Sequence, residues 1–146
     1  MIAVVQRVTS SSVSIGGNTI AAINAGVTVL LGVADGDGPA DADYLANKVS
    51  HLRIFEDAGG RMNRSLIDTG GRMLVISQFT LLGDCRKGRR PSFVHAAEPS
   101  LAAPLYERFV DQVQKLGVKT HTGRFGANMQ VHILNDGPVT LLVHSR

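Results

Sequence analysis

Four short stretches of the sequence hold residue types that could do chemistry. In "CRKGRRPSF", four cations, Arg86, Lys87, Arg89 and Arg90, fall within five residues. Clustered cations suit a polyanion backbone, because contact with phosphates releases condensed counterions; the plain alternative is a solvated loop. In "MLVISQFTL", the polar groups of Ser77, Gln78 and Thr80 follow an apolar run. A strand that ends this way can aim side chains and backbone N–H groups at a ligand; it can also simply fray. In "NDGPVT", Gly137 bares the backbone and Pro138 is rigid with no N–H to donate. A plain hairpin would carry Asn-Gly or Asp-Gly here, so the dipeptide is either an unusual turn or backbone shaped to touch something. Cys85 lies beside Arg86 and Lys87, which favours a thiolate, but no partner base is recognisable and it reads as a loop thiol.

The common catalytic signatures are missing. There is no glycine-rich phosphate loop, no His-Glu-x-x-His and no Cys-x-x-Cys. The histidines at 51, 95, 121, 132 and 144 show no metal-ligand spacing and read as surface or packing residues.

The elements that would position these stretches follow from periodicity. "MIAVVQRV" and "SSVSI" are β-rich, and "GGN" after Ile15 signals a turn. "GVTVLLGV" (26–33) and the run from Met73 to Leu81 have the length and composition of buried strands. Leu45, Val49 and Leu52 fall at i, i+4 and i+7, which predicts a helix from Ala40 to about Arg53, with Pro39 and the acids Asp41 and Asp43 at its start. Leu105, Phe109, Val113 and Leu116 predict a second helix, from about Ser100 to Leu116, with Gly117 as its stop. Pro104 should lie in its first turn, or the helix should start late. "MQVHIL" and "PVTLLV" read as two closing strands. Frequent hairpin signals and irregular alternation argue for an α+β protein: a compact, mostly antiparallel or mixed sheet, or barrel-like core, with two main helices in a single domain over 1–146.

Composition narrows the function classes. Net charge is +3, compatible with a polyanionic partner. There is no tryptophan and aromatic residues make up 5%, which argues against a wide base-stacking platform. One cysteine cannot form an internal disulfide, and no apolar run approaches a membrane span, so a cytoplasmic protein is expected.

"SQFTL" and "NDGPVT" together resemble the motif pair of the D-aminoacyl-tRNA deacylases, the D-tyrosyl-tRNA deacylase family. "MIAVVQRV", "LRIFED", "RKGRRPSF" and "GRFGA" extend the resemblance over essentially the whole chain. It implies hydrolysis of the ester joining a D-amino acid to the terminal ribose of tRNA, in the cytoplasm, with no cofactor and no metal. It implies a homodimer with active sites at the interface and the tRNA acceptor end as partner, not DNA or membrane. By resemblance, the N–H groups of Phe79 and Thr80 are oxyanion donors, Ser77 and Gln78 position substrate, and the Thr80 hydroxyl orients water. Gly137-Pro138 would be cis and enter the other subunit's site, rejecting L side chains by clash. Glycine has nothing to clash, so glycyl-tRNA, including glycine mischarged on tRNA-Ala, should also be accepted. Arg86, Lys87, Arg89 and Arg90 would contact tRNA phosphate. A side chain at 137 should also strain a backbone with torsions open only to glycine. Two other readings stay open on the residues: an RNA-binding module without catalysis, and an unrelated esterase using Cys85 or Ser77.

Overall fold

The computed structural model describes residues Met1–Arg146. In chain order the elements are β1 (Ile2–Ile15), β2 (Asn18–Ile23), β3 (Gly26–Gly32), α1 (Pro39–Ser50), β4 (Phe55–Glu56), β5 (Met62–Arg64), α2 (Leu66–Thr69), β6 (Arg72–Ser77), a 3-10 turn (Phe79–Leu82), α3 (Pro99–Lys115), β7 (Lys119–Thr122) and β8 (Gln130–His144). The long strand β1 is the spine. One of its edges pairs antiparallel with β3 over Ile2–Val8 and then with β2 over Ser11–Ile15. Its other edge pairs antiparallel with β8 along most of its length. From β3 the sheet continues in parallel through β6 to β7. The result is a mixed, nearly closed, barrel-like sheet with three helices, as the hairpin-rich sequence predicts.

The core explains why these segments persist. Ala3 and Val5 of β1, Val27, Val29 and Leu31 of β3, and Met73 and Val75 of β6 bury one face of the sheet against Leu45 and Val49 of α1 and Leu105, Phe109 and Val113 of α3. Each large side chain so buried contributes about 1.5–3 kcal/mol of transfer free energy. The predicted apolar faces of both helices are therefore the faces that pack.

Boundaries depart from expectation where local chemistry intervenes. α1 ends at Ser50 rather than Arg53. α3 begins at Pro99 and carries Pro104 inside it, not in its first turn. The ladder bond that Pro104 cannot make would reach Ser100; both residues are exposed, so water can serve the freed carbonyl. The strand expected over Met73–Leu81 stops at Ser77, and the two closing strands are one strand, β8, interrupted by register shifts opposite Arg7. β7 and the β4–β5 hairpin appear where no strand was expected.

Candidate active site

At the end of β6 the backbone leaves the sheet. Gln78 still donates its N–H to the Leu31 carbonyl at 2.8 Å, holding the exit point against β3. The 3-10 turn then starts, and its first internal bond is the Leu81 N–H to the Gln78 carbonyl, 3.3 Å. The N–H groups of Phe79 and Thr80 precede that bond, as the leading donors of a helical turn do. The turn can lie this close to β3 because residue 32 is glycine: a Cβ there would meet Leu82 Cδ2 at 2.6 Å and the Gln78 carbonyl at 3.0 Å. Gln78 Nε2 donates to the Thr80 hydroxyl, tying two of the predicted polar groups together.

Ser77, Gln78 and Phe79 line a cavity of about 570 Å³, within the range of small-molecule sites, about 300–1,000 Å³. Its walls are mostly apolar. Four of the chain's seven aromatic residues gather there, Phe79, Phe93, Tyr106 and Phe125. Phe79 and Phe93 meet edge to face at 5.2 Å, and Tyr106 and Phe125 lie 5.9 Å apart. The low aromatic content therefore excludes a wide platform but not a local one. Only two lining residues titrate, Glu98 at the exposed start of α3 and Tyr106. Burial pushes the Tyr106 phenol upward, and its hydroxyl donates to the Val75 carbonyl at 2.9 Å. It stays protonated and occupied, which removes it as a base.

The second predicted element sits elsewhere in the same chain. Gly137-Pro138 is cis, as the resemblance implies. The dipeptide occupies the interruption of β8 facing Arg7, and neither residue lines the cavity. Val131, near the start of β8, does line it. Six further residues at about 3.3 Å each place Gly137 roughly 20 Å along the strand. Both dipeptide residues are exposed. Gly137 does not have a positive φ, and an added Cβ would meet only Asn135 Oδ1 at 3.7 Å, an ordinary contact. This corrects the expectation that alanine would strain the backbone at 137.

Arg7 is a residue that sequence reading missed. Its side chain is buried and serves as a strut behind the dipeptide: Nε lies 2.9 Å from an Asp136 carboxylate oxygen and donates to the Asp136 carbonyl at 3.3 Å, while Nη1 donates to the Ile54 carbonyl at 2.6 Å. Asn135 completes the brace, its Nδ2 donating to the carbonyls of Arg7 at 2.8 Å and Val139 at 3.0 Å. The loop 86–90 is exposed, as expected, but its cations are not equivalent. Arg86 is clamped by both carboxylate oxygens of Asp84, at 2.9 and 2.6 Å, and the guanidinium holds that carboxyl well below the usual range. Lys87, Arg89 and Arg90 have no carboxylate partner. Cys85 is exposed on this loop, away from the cavity, whereas Ser77 is part of the cavity wall.

The sequence model of the family described as D-Tyr-tRNA(Tyr) deacylase matches residues 4–144. The chain belongs to that family. It is 60% identical, over all of both chains, to a protein of Desulfatibacillum aliphaticivorans named D-aminoacyl-tRNA deacylase. It is 55% identical to one of the same name from Halalkalibacterium halodurans, with 98% of each chain covered. Among solved structures, the c-Myc DNA Unwinding Element Binding Protein superposes with a TM-score of 0.93 at 41% identity, covering 100% of this chain and 99% of that one. A probable eukaryotic D-amino acid tRNA deacylase superposes at 0.84 with 18% identity over 97% of each, a likeness of fold. Seen as a deacylase fold, the chain presents its strand-end cavity and its cis dipeptide as separate parts.

Proposed function

We propose that the chain hydrolyses the ester of D-aminoacyl-tRNA at the end of β6, using backbone donors rather than a side-chain nucleophile and base. Membership of the family makes the chain a hydrolase of the aminoacyl-tRNA ester. The observation that carries the mechanism is the cavity wall: it takes in Ser77, Gln78 and Phe79, where β6 passes into the 3-10 turn, and of its lining residues only Glu98 and the protonated Tyr106 titrate. An ester is already activated. What it needs is a held carbonyl, a stabilised oxyanion and water. Donors fixed before reaction, in a site that excludes bulk water, stabilise that charge strongly. The N–H groups of Phe79 and Thr80 take the oxyanion. Ser77 and Gln78 position the ester, the Thr80 hydroxyl orients water, and the terminal ribose 2′-OH assists. The apolar walls take the terminal nucleoside.

Selectivity comes from Gly137-Pro138 of a second copy. Two observations support this. The dipeptide lies far from its own cavity yet is exposed and braced from behind by Arg7 and Asn135. And β8 is a fifteen-residue strand paired with β1 alone, and its own Leu134, Leu141 and Leu142 are exposed. A long apolar edge of that kind favours association. In the homodimer the partner's dipeptide closes each cavity. Its carbonyls receive the substrate ammonium and its bulk fills the space an L side chain needs. Glycyl-tRNA, including glycine on tRNA-Ala, passes because it brings no side chain. The cations Lys87, Arg89 and Arg90, with Arg86 beside them, contact phosphate. No helix is long and apolar enough to cross a membrane, and the lone free thiol suits the cytoplasm.

The test is a deacylation assay with D- and L-charged tRNA. Loss of the D ester with retention of the L ester supports the reading. Binding without ester loss supports a nucleic-acid-binding module, a reading to which the DNA-binding name of one structural relative lends weight. Inactivation by thiol reagents without chiral preference supports a Cys85 esterase.

A further inference from the structure

We infer that the β4–β5 hairpin is a second phosphate-binding surface, and that it serves the tRNA whose acceptor end lies in the partner's cavity. The inference rests on the reading above, in which the dipeptide acts across the dimer.

Ion pairing within the chain leaves the hairpin's three arginines without partners. Four arginines are neutralised by aspartates: Arg7 by Asp136, Arg86 by Asp84, Arg108 by Asp43, and Arg146 by Asp37 and Asp41. Arg53, Arg61 and Arg64 are exposed and pair with no carboxylate. Acids are nearby and stay ionised, so they offset the arginines in net charge, but two of them bond the backbone and the Ser65 hydroxyl and form no ion pair with a guanidinium. Asp57 accepts from the N–H groups of Gly59 at 2.8 Å and Arg61 at 3.1 Å, and Asp68 accepts from the Ser65 N–H and hydroxyl at 2.8 Å each. Those bonds hold both carboxyls below their usual range. Glu56 makes no ion pair with any of the three arginines.

Two of the guanidiniums are also held in place without being neutralised. Arg53 Nε donates to the Asn63 carbonyl at 2.9 Å, and Arg64 Nη2 donates to the Asp68 carbonyl at 2.7 Å. A carbonyl fixes the fork while leaving most of its donors available, which suits a phosphate oxygen, although the Arg64 charge also acts on the nearby Asp68 carboxylate. The hairpin cannot drift from the dipeptide. Buried Arg7 bonds Ile54, immediately before β4, with one nitrogen and Asp136, immediately before Gly137, with another. Whichever cavity the dipeptide enters, the hairpin arrives beside it. The anion that lies there is the acceptor stem of the tRNA bound in that cavity.

The experiment compares D-Tyr-tRNA with D-tyrosyl-adenosine, an ester without the stem phosphates. In the homodimer, Arg53→Gln/Arg61→Gln/Arg64→Gln should raise KM for the tRNA about tenfold relative to that for the adenosine ester. It should lower the salt slope of tRNA binding by about two to three, one contact per arginine. The triple Lys variant should restore the slope. Mixed dimers then assign the cavity. With Gly137→Ala and the triple Gln variant on one chain and the other chain unaltered, the live cavity keeps an intact hairpin and a normal KM. With the two lesions on opposite chains, the live cavity is served by the altered hairpin and its KM is raised. The reverse pattern overturns the inference, as does an unchanged KM and slope in the triple homodimer. An equal rise for both esters also overturns it, by showing general loosening. If the unaltered protein hydrolyses neither ester, the functional reading itself fails, an outcome distinct from failure of the hairpin alone.

Discussion

The end of β6 and the interruption of β8 both break a strand, and they break it in opposite ways. At β6 the chain turns away into a 3-10 turn beside a cavity with mostly apolar walls. At β8 the chain carries straight on through a cis dipeptide, held from behind by Arg7 and Asn135 and open in front. One region is a space; the other is an exposed, braced surface that we propose fills such a space in a second copy. Recognition by exclusion needs a stiff wall, because a wall that yields rejects nothing. The energy of the Arg7 and Asn135 bonds therefore goes into rigidity at a surface that touches little in its own chain.

The comparison breaks most severely at Gly137. Alanine fits there within the chain, so Gly137→Ala should melt within a degree or two of the parent. Its kcat/KM for D-Tyr-tRNA should fall by a hundredfold or more, about 2.7 kcal/mol of transition-state stabilisation. A large fall in melting temperature would place the defect in the fold instead. Next comes Arg7. Arg7→Ala strips the Ile54 carbonyl and Asp136 of their donor; because Asp136 is half exposed, the expected stability loss is about 1–3 kcal/mol, read by urea unfolding. Its sharper signature is relaxed chirality, with the ratio of D to L hydrolysis dropping as the wall loosens. An unchanged ratio would reduce Arg7 to a packing residue.

On the side of the cavity, Thr80→Ala should cost about tenfold in kcat, against roughly a millionfold for loss of a true nucleophile. Near-complete loss in a folded variant would make Thr80 the nucleophile. The smallest effect belongs to the loop. Neutralising Lys87, Arg89 and Arg90 should flatten the salt dependence of tRNA binding, while Arg86→Gln alone should change it little, because Asp84 already holds that charge. Asp84→Asn should free Arg86 and steepen the slope by about one contact. The sign with pH follows. Arg86 lowers the folded-state pKa of Asp84, so the clamp's contribution is full above the ordinary carboxylate value of about 3.9, and the clamp itself is lost only as pH falls further, through the lowered folded-state pKa. At neutral pH the clamp should be insensitive to pH, which binding at pH 6 and pH 8 checks.

Much of this was legible in the sequence because it is local. β-rich composition marks β1, a short apolar run marks β3, the spacing of Leu105, Phe109 and Val113 marks α3, and both motifs stand where the chain breaks a strand. What escaped was short or long-range. "KTHT" forms β7 without an apolar signal, because its place is set by parallel pairing to β6. Gly-Pro looked like the gap between two strands, whereas register shifts absorb it and β8 continues. Arg7 lies inside a β-rich stretch with nothing local to mark it; its partner Asp136 is 129 residues away. The gathering of four aromatic rings around one cavity is likewise invisible to composition.

The central claim, that the space and the wall come from different copies of the chain, is tested most directly by mixed dimers. One chain carries Gly137→Ala. The other carries Phe79→Pro, which removes a proposed oxyanion donor at the first position of the 3-10 turn, where a helical turn accepts proline. Each parent homodimer should be nearly inactive on D-Tyr-tRNA. If each cavity is closed by the other chain, both lesions fall on one cavity and the second is whole. Heterodimers verified by mass should then show about half the normal activity, one site of two acting independently. Heterodimers that stay inactive, although both parents fold and dimerise, would contradict the account.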